Sequence, residues 1–154
     1  MFRGLAESHV DAKGRVAIPS RYRDIIQKEA GGMVVVTIDV EAPCLLLYPY
    51  PQWEKIEQKL ETLPSFHPVT RRIQRLLIGH ATELEVDRSG RILIPSLLRE
   101  YAHLGQTVTW VGQVNKIEIW GKQWNDARQG WLDEGLQWKN DEDDFPSELK
   151  TLSL

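Results

Sequence analysis

Arg15 and Arg91 each follow a glycine and trail an aspartate by four positions, in Asp11-Ala12-Lys13-Gly14-Arg15 and Asp87-Arg88-Ser89-Gly90-Arg91. In a D-x-x-G-R segment the Asp carboxylate accepts hydrogen bonds from the turn backbone. The glycine takes a positive φ that other residues avoid. Each guanidinium then stands near the tip of a tight turn. Planar guanidinium groups suit bidentate contact with phosphate, or with guanine edges in the major groove of duplex DNA. Lys13 and Arg88 add charge beside them, and Arg3 and Arg21 are further candidates. Residue chemistry leaves a second reading open, in which each Arg pairs with its own Asp and braces the turn. Arg23 and Arg99 fall inside helices, where structural pairing is expected.

Other chemistries find little support. His9, His67, His80 and His103 show no metal-ligand spacing such as H-E-x-x-H. Neither G-x-x-x-x-G-K-[ST] nor G-x-G-x-x-G occurs, so no phosphate loop, no cofactor and no enzymatic activity are expected. A nuclease holding a metal on Asp11 and Asp87 is the remaining enzymatic alternative, but turn formation already accounts for both acids. Cys44 lies in an apolar run and reads as a small core residue.

The elements that must position the arginines are duplicated. Asp11-Ala12-Lys13-Gly14-Arg15-Val16-Ala17-Ile18-Pro19-Ser20 recurs 76 positions later as Asp87-Arg88-Ser89-Gly90-Arg91-Ile92-Leu93-Ile94-Pro95-Ser96. Arg23 and Arg99 keep that offset, whereas Tyr48 and Trp120 stand 72 apart and Trp53 and Trp124 stand 71 apart. Two tandem copies of one small unit follow, with a few extra residues near Glu41-Ala42-Pro43 in the first. Within each copy a strand ends at His9-Val10 or Glu85-Val86, the turn follows, and Arg-Val-Ala-Ile or Arg-Ile-Leu-Ile forms the next strand. Pro19 and Pro95 open helices running to about Glu29 and to Tyr101–Ala102. Gly31-Gly32 and Gly105 are expected to end them. β-Branched strands at Val34–Ile38 and Thr107–Val111 pair with Cys44–Tyr48 and Lys116–Trp120. The fold class is α+β, mainly β, built from two β-β-α-β-β repeats with peripheral helices.

Residues 1–50 and 81–124 are the two repeats, 51–80 a connecting helical hairpin, and 125–154 a C-terminal helix and acidic tail. In the connector, Ile56, Leu60 and Leu63 mark one helix. A second carries Ile73, Leu76, Leu77 and His80, with Arg71, Arg72 and Arg75 on its other side, read as a solvated or subunit-contact face. Trp124, Trp131 and Trp138 are spaced by seven and form a one-sided packing stripe. The tail beyond Asn140 reads as mobile, although Leu149, Leu152 and Leu154 offer it a dock. Four short strands and a helix cannot hide both sheet faces, so the two units must share a core and the chain is expected to self-associate.

Composition is that of an ordinary globular chain: 154 residues, 42% hydrophobic, 27% charged, net charge −3. The charge is uneven. Residues 1–110 carry +1 and hold ten of the eleven arginines; residues 111–154 carry −4, including Asp141-Glu142-Asp143-Asp144. An acidic tail thus masks a basic face in the whole-chain average. No apolar run approaches the ~18 residues of a membrane span, and M-F-R-G-L-A-E-S-H shows no signal-peptide core. A cytoplasmic protein with no membrane partner is expected.

D-A-K-G-R-V-A-I-P-S-R-Y-R, D-R-S-G-R-I-L-I-P-S-L-L-R, T-I-D-V-E-A-P-C-L-L-L-Y-P-Y-P-Q-W-E, R-R-I-Q-R-L-L-I-G-H-A and the closing L-S-L together resemble the MraZ family of transcriptional regulators, over nearly the whole chain. The resemblance implies two swapped-hairpin domains of the SpoVT/AbrB type in an AbrB-like barrel, and a ring-shaped homo-oligomer associated with the nucleoid. It also implies binding to double-stranded DNA at direct repeats in the promoter of the protein's own division and cell-wall operon, usually as a repressor. The family's DNA-contacting loops map onto Asp11 with Arg15 and Asp87 with Arg91. Its loop lysine is present as Lys13 but replaced by Ser89 in the second copy. On that reading Arg15, Arg91, Lys13 and Arg88 contact DNA, while Asp11, Gly14, Asp87 and Gly90 shape the loops. Gly121 to Asp144 is the least family-like stretch. An antitoxin-like or scaffold oligomer whose main ligand is protein is the alternative, favoured by the acidic tail and the Trp stripe.

Overall fold

The computed structural model describes residues 1–135 and Glu148. Trp138, the run Asp141 to Asp144, and Leu149, Leu152 and Leu154 lie outside the described residues. Residues Met1–Lys122 form one compact unit, and Gln123–Leu154 belong to a second.

The first unit carries β1 (Leu5–His9), β2 (Arg15–Ala17), α1 (Ser20–Ala30), β3 (Met33–Ile38) and β4 (Leu45–Pro49) from the first repeat. Next come α2 (Tyr50–Glu61) and α3 (Pro68–Ile73), which runs into a π-helical turn at Gln74–Ile78. The second repeat supplies β5 (Thr82–Glu85), β6 (Arg91–Leu93), α4 (Ser96–Tyr101), β7 (Thr107–Gly112) and β8 (Ile117–Trp120). Strand positions match the sequence reading closely. Gly105 is a correction: α4 stops at Tyr101, and His103, not glycine, takes the left-handed conformation at φ 51°.

Strand pairing crosses between the two repeats. The hairpins β3–β4 and β7–β8 form as expected, but their outer neighbours come from the opposite repeat. β1 pairs with β7 (Leu5 opposite Val111) and β5 with β3 (Met33 opposite Glu85). The result is one mainly antiparallel six-stranded sheet, ordered β1-β7-β8-β4-β3-β5, and a separate ribbon of β2 with β6. These pairings do not close into a barrel among the described residues. The short strand after each turn is only three residues long and buries one side chain, Val16 or Ile92. Apart from one bridge from Val16 to Val10 of its own repeat, β2 pairs with its counterpart β6, and both buried side chains enter the shared core.

A local two-fold relates the halves. Val16 faces Ile92 in the ribbon, and these are equivalent positions in the repeat. Leu46 faces Glu118 at the centre of the sheet, again equivalent under the 72-residue offset. Between ribbon and sheet lies the main core, where Val16, Ile18, Ile92 and Ile94 meet Val34, Val36, Leu45, Leu47, Ile117, Ile119 and Trp110. Each fully buried Ile or Leu there contributes about 1.5–3 kcal/mol. Alternation along β3 turns Val35 to the opposite face, where Leu46, Tyr48 and Trp53 of α2 form a smaller cluster, flanked by Leu77 and Ile78. The expected apolar row of α2 is only partly used: Leu63 is exposed, beyond the end of the helix, and Trp53 is the buried anchor. No helix among the described residues is long and apolar enough to cross a membrane.

In the second unit, α5 (Trp124–Gly135) sets Trp124 edge-on to Trp131, ring centroids 6.2 Å apart.

Candidate nucleic-acid interface

The two D-x-x-G-R segments fold into the same turn. In the first, the Asp11 N–H donates to the Arg15 carbonyl at 2.9 Å, and the Gly14 N–H donates to the Asp11 carbonyl at 3.0 Å. Asp11 Oδ1 accepts from the N–H groups of Lys13 and Arg15, both at 2.9 Å. The second repeats the pattern: Asp87 Oδ1 accepts from Ser89 at 2.8 Å and Arg91 at 2.9 Å. Gly14 and Gly90 sit at φ +89° and +75°, which explains the glycine in both. Both carboxylates are held below the ordinary carboxylate range. The largest cause is the backbone N–H of Arg15 or Arg91, opposed by desolvation and reinforced by the neighbouring guanidinium.

The second carboxylate oxygens address the guanidinium groups. Arg15 Nε donates to Asp11 Oδ2 at 2.8 Å. Arg91 Nε lies 3.3 Å from Asp87 Oδ2 without the alignment of a hydrogen bond, and that nitrogen is buried. Arg91 also reaches the other turn, with Nη1 3.8 Å from Asp11 Oδ2. The turns are therefore side by side, and four charges form one cluster. The bracing role left open by residue chemistry is realised here. Both arginine side chains nevertheless remain about one-third exposed, at 33% and 34%. Within the cluster the charges balance, and positive charge is added around it by the exposed Lys13 and Arg88 and by Arg23 and Arg99, which lie against the turns.

The remaining candidates separate from this group. Arg21 donates to the Leu5 carbonyl and lies over the Tyr22 ring, 5.3 Å from its centroid, so it ties α1 to the N-terminal segment. The exposed Arg71, Arg72 and Arg75 belong to the layer covering the other face of the sheet. His67 caps α3 through the Val69 N–H, and the His80 ring meets the Leu76 carbonyl at 2.8 Å. Ionisable ligand atoms do converge at Asp39, Cys44 and Glu118, within 4.8 Å of one another. There the Cys44 S–H donates to Asp39 Oδ2 at 3.6 Å. Burial pushes the thiol well up, helped by the charges of Glu118 and Asp39, so it serves as a protonated core donor.

Arg23 and Arg99, expected to pair structurally within their helices, do so with targets that the sequence reading did not name. Arg23 Nη1 donates to the Ser89 carbonyl at 3.3 Å, and Arg99 packs against Gly14. Each thus reaches from its own repeat onto the turn of the other. The P-x-x-x-R spacing repeats in both copies, but only the strand exchange reveals its target.

Comparison with known proteins matches the same duplication. The family model described as "MraZ protein, putative antitoxin-like" fits residues 1–76 and again 77–142. The two matches start 76 positions apart, the offset of the turns. A relative from Coxiella burnetii (strain RSA 493 / Nine Mile phase I), named "Transcriptional regulator MraZ", is 65% identical over the full length of both chains. Relatives with the same name from Alkalilimnicola ehrlichii and from Legionella pneumophila (strain Paris) are 52% and 51% identical, also over all of both chains.

Proposed function

The chain belongs to the MraZ family, and from that membership we propose that it is a sequence-specific, DNA-binding transcriptional regulator whose paired turns read the duplex. The observation that carries this reading is the cluster in which Arg15 and Arg91, from opposite repeats, approach the same Asp11 carboxylate. Two guanidinium planes held side by side on rigid turns suit base edges, where direction matters. Lys13 and Arg88, which have no ion-pair partner among the described residues, supply the charge for phosphates. Asp11, Gly14, Asp87 and Gly90 hold the turns in shape.

The cross-repeat strand exchange supports an arrangement of the swapped-hairpin type, with residues 1–50 and 81–124 as its two halves. The segment 51–80 connects the two halves, and 125–154 follows as a separate C-terminal segment. One pair of turns offers modest, salt-sensitive affinity; a ring of copies on direct repeats gains avidity. A repressor of its own division and cell-wall operon, in the cytoplasm and on the nucleoid, is the specific form proposed. The family description "antitoxin-like" and the exposed Leu93 and Leu97 support a second reading, in which the main ligand is protein.

Fluorescence anisotropy with the duplex upstream of the protein's own gene, against a scrambled duplex over a salt series, separates the two. Wild type is expected to prefer the native duplex with a steep salt dependence, and Arg15→Ala to lose about tenfold or more of that preference. An Arg15→Ala protein that binds the native duplex normally would overturn the assignment. No binding at low salt to either duplex would turn the search to protein partners.

A further inference from the structure

Both turns are roofed by an arginine from the other half of the chain. Gly14 carries no side chain, and a Cβ built there would lie 2.7 Å from Arg99 Cζ and 3.0 Å from Arg99 Nε and Nη1. At Gly90 the corresponding Cβ would lie 2.7 Å from Arg23 Cζ. The backbone is crossed in the same sense: the Ile94 N–H donates to the Gly14 carbonyl at 3.2 Å, and the Ile18 N–H to the Gly90 carbonyl at 2.9 Å. The anchors differ. Arg99 Nε donates to the Ile94 carbonyl of its own repeat at 3.0 Å. Arg23 hangs from the Ser89 carbonyl in the opposite turn, and its Nε is buried without a hydrogen-bond partner among the described residues. A planar guanidinium can lie flat on a glycine where an ammonium cannot. Glycine is therefore required twice at each turn, for its positive φ and for this contact.

We propose that Arg99 and Arg23 are positioning residues, each setting the shape of the DNA-reading turn in the opposite repeat by lying across its glycine. The geometry makes Arg99 act on Arg15, through the Lys13–Arg15 backbone, and Arg23 act on Arg91, through Ser89. Each half of the chain presents one turn and controls the other. A substitution in α4 is thus felt at the first turn, and one in α1 at the second. The DNA consequence rests on the function proposed above; the cross-repeat control of the turns does not.

Amide hydrogen exchange on the full chain without DNA tests the control directly. Arg99→Ala is expected to speed exchange of the Lys13 and Arg15 amides about tenfold while leaving Ser89 and Arg91 unchanged, and Arg23→Ala to do the reverse. Arg99→Lys and Arg23→Lys keep the charge and should show the same turn selectivity at smaller amplitude. Loosening of the turn in the same repeat, of both turns alike in all four variants, or of neither would overturn the proposal. In anisotropy, Arg99→Lys is expected to weaken native-duplex binding about fivefold with an unchanged salt slope, and to have no further effect in an Arg15→Ala background. An additive loss would mean that Arg99 acts on DNA independently. If exchange follows the crossed pattern but no form of the protein binds DNA, the brace stands and the DNA reading falls. If exchange is unaffected and wild type still binds, the reverse holds.

Discussion

The first and second turns share a backbone and differ in how tightly each holds its arginine. Arg15 is locked to Asp11 by an aligned hydrogen bond of 2.8 Å, whereas Arg91 is split between Asp87 at 3.3 Å and Asp11 at 3.8 Å. Lys13 in the first turn becomes Ser89 in the second, and Ala12 becomes Arg88. Beside the second turn also lie both buried guanidinium nitrogens that lack a hydrogen-bond partner among the described residues, on Arg91 and on Arg23 of the opposite repeat. Near-identical motifs thus yield one preorganised guanidinium and one whose pairing is incomplete. An Asx-type turn dictates the path of the backbone, but the side chain's freedom depends on what the other repeat places beside it.

Breaking the shared feature should have the largest effect. Gly14→Ala and Gly90→Ala force a side chain into a positive φ and displace the covering arginine; each is expected to cost about 1–3 kcal/mol in chemical denaturation. Gly31→Ala, also at positive φ but facing open space, isolates the backbone contribution and should cost about 1–2 kcal/mol. Equal losses at all three positions would mean that the arginine cover contributes nothing to stability.

The unequal pairing predicts unequal aspartates. Asp11→Asn releases both Arg15 and Arg91, and Asp87→Asn only Arg91. Expected losses of native-over-scrambled preference are about tenfold and about threefold, with non-specific affinity rising in both because a negative charge is removed. Matching losses would show that Arg91 gains nothing from Asp11.

Acid should open both turns together. Each aspartate is depressed below the ordinary value of 3.8, so its contribution to the folded state is complete above that value. It is lost as pH falls through the lowered values. Carboxyl chemical shifts should therefore titrate below 3.8, along with a loss of protection at Lys13 and Ser89 relative to the intrinsic exchange rate at each pH; titration at or above 3.8 would contradict the turn geometry. The smallest effect concerns the lysine alone. Ser89→Lys should steepen the salt dependence of binding by about one phosphate contact, and Lys13→Ser should flatten it equally.

Much of this was legible in the sequence because the repeat announces itself through residues that a tight turn demands. Asp11, Gly14 and Arg15 recur at Asp87, Gly90 and Arg91, and β-branched runs mark β3 and β7 within a residue of their observed ends. Partner choice was not legible. Nothing in Leu5–His9 distinguishes β2 from β7 as a neighbour, since alternation encodes which face is buried but not which strand lies alongside. The targets of Arg23 and Arg99 were hidden for the same reason. Helix spacing places them one turn after Pro19 and Pro95, while their targets lie in the opposite repeat. Glu118 shows the converse case: a position filled by Leu46 in the first copy holds a buried carboxylate in the second, which receives the Trp120 indole N–H at 3.0 Å.

The pairing of Leu5 with Val111 also has a consequence in time. The first strand leaves the ribosome about a hundred residues before its neighbour exists. At roughly 5–20 residues per second, that is on the order of 5–20 s during which β1 has no lasting partner. The β3 edge waits similarly, though more briefly, for β5. The nascent first half therefore spends its youth with open strand edges, a state that invites pairing with other nascent chains. Only the arrival of β7 and β8 ends that exposure, so the last stretch of the compact unit to be made is the one that commits the earliest to its place.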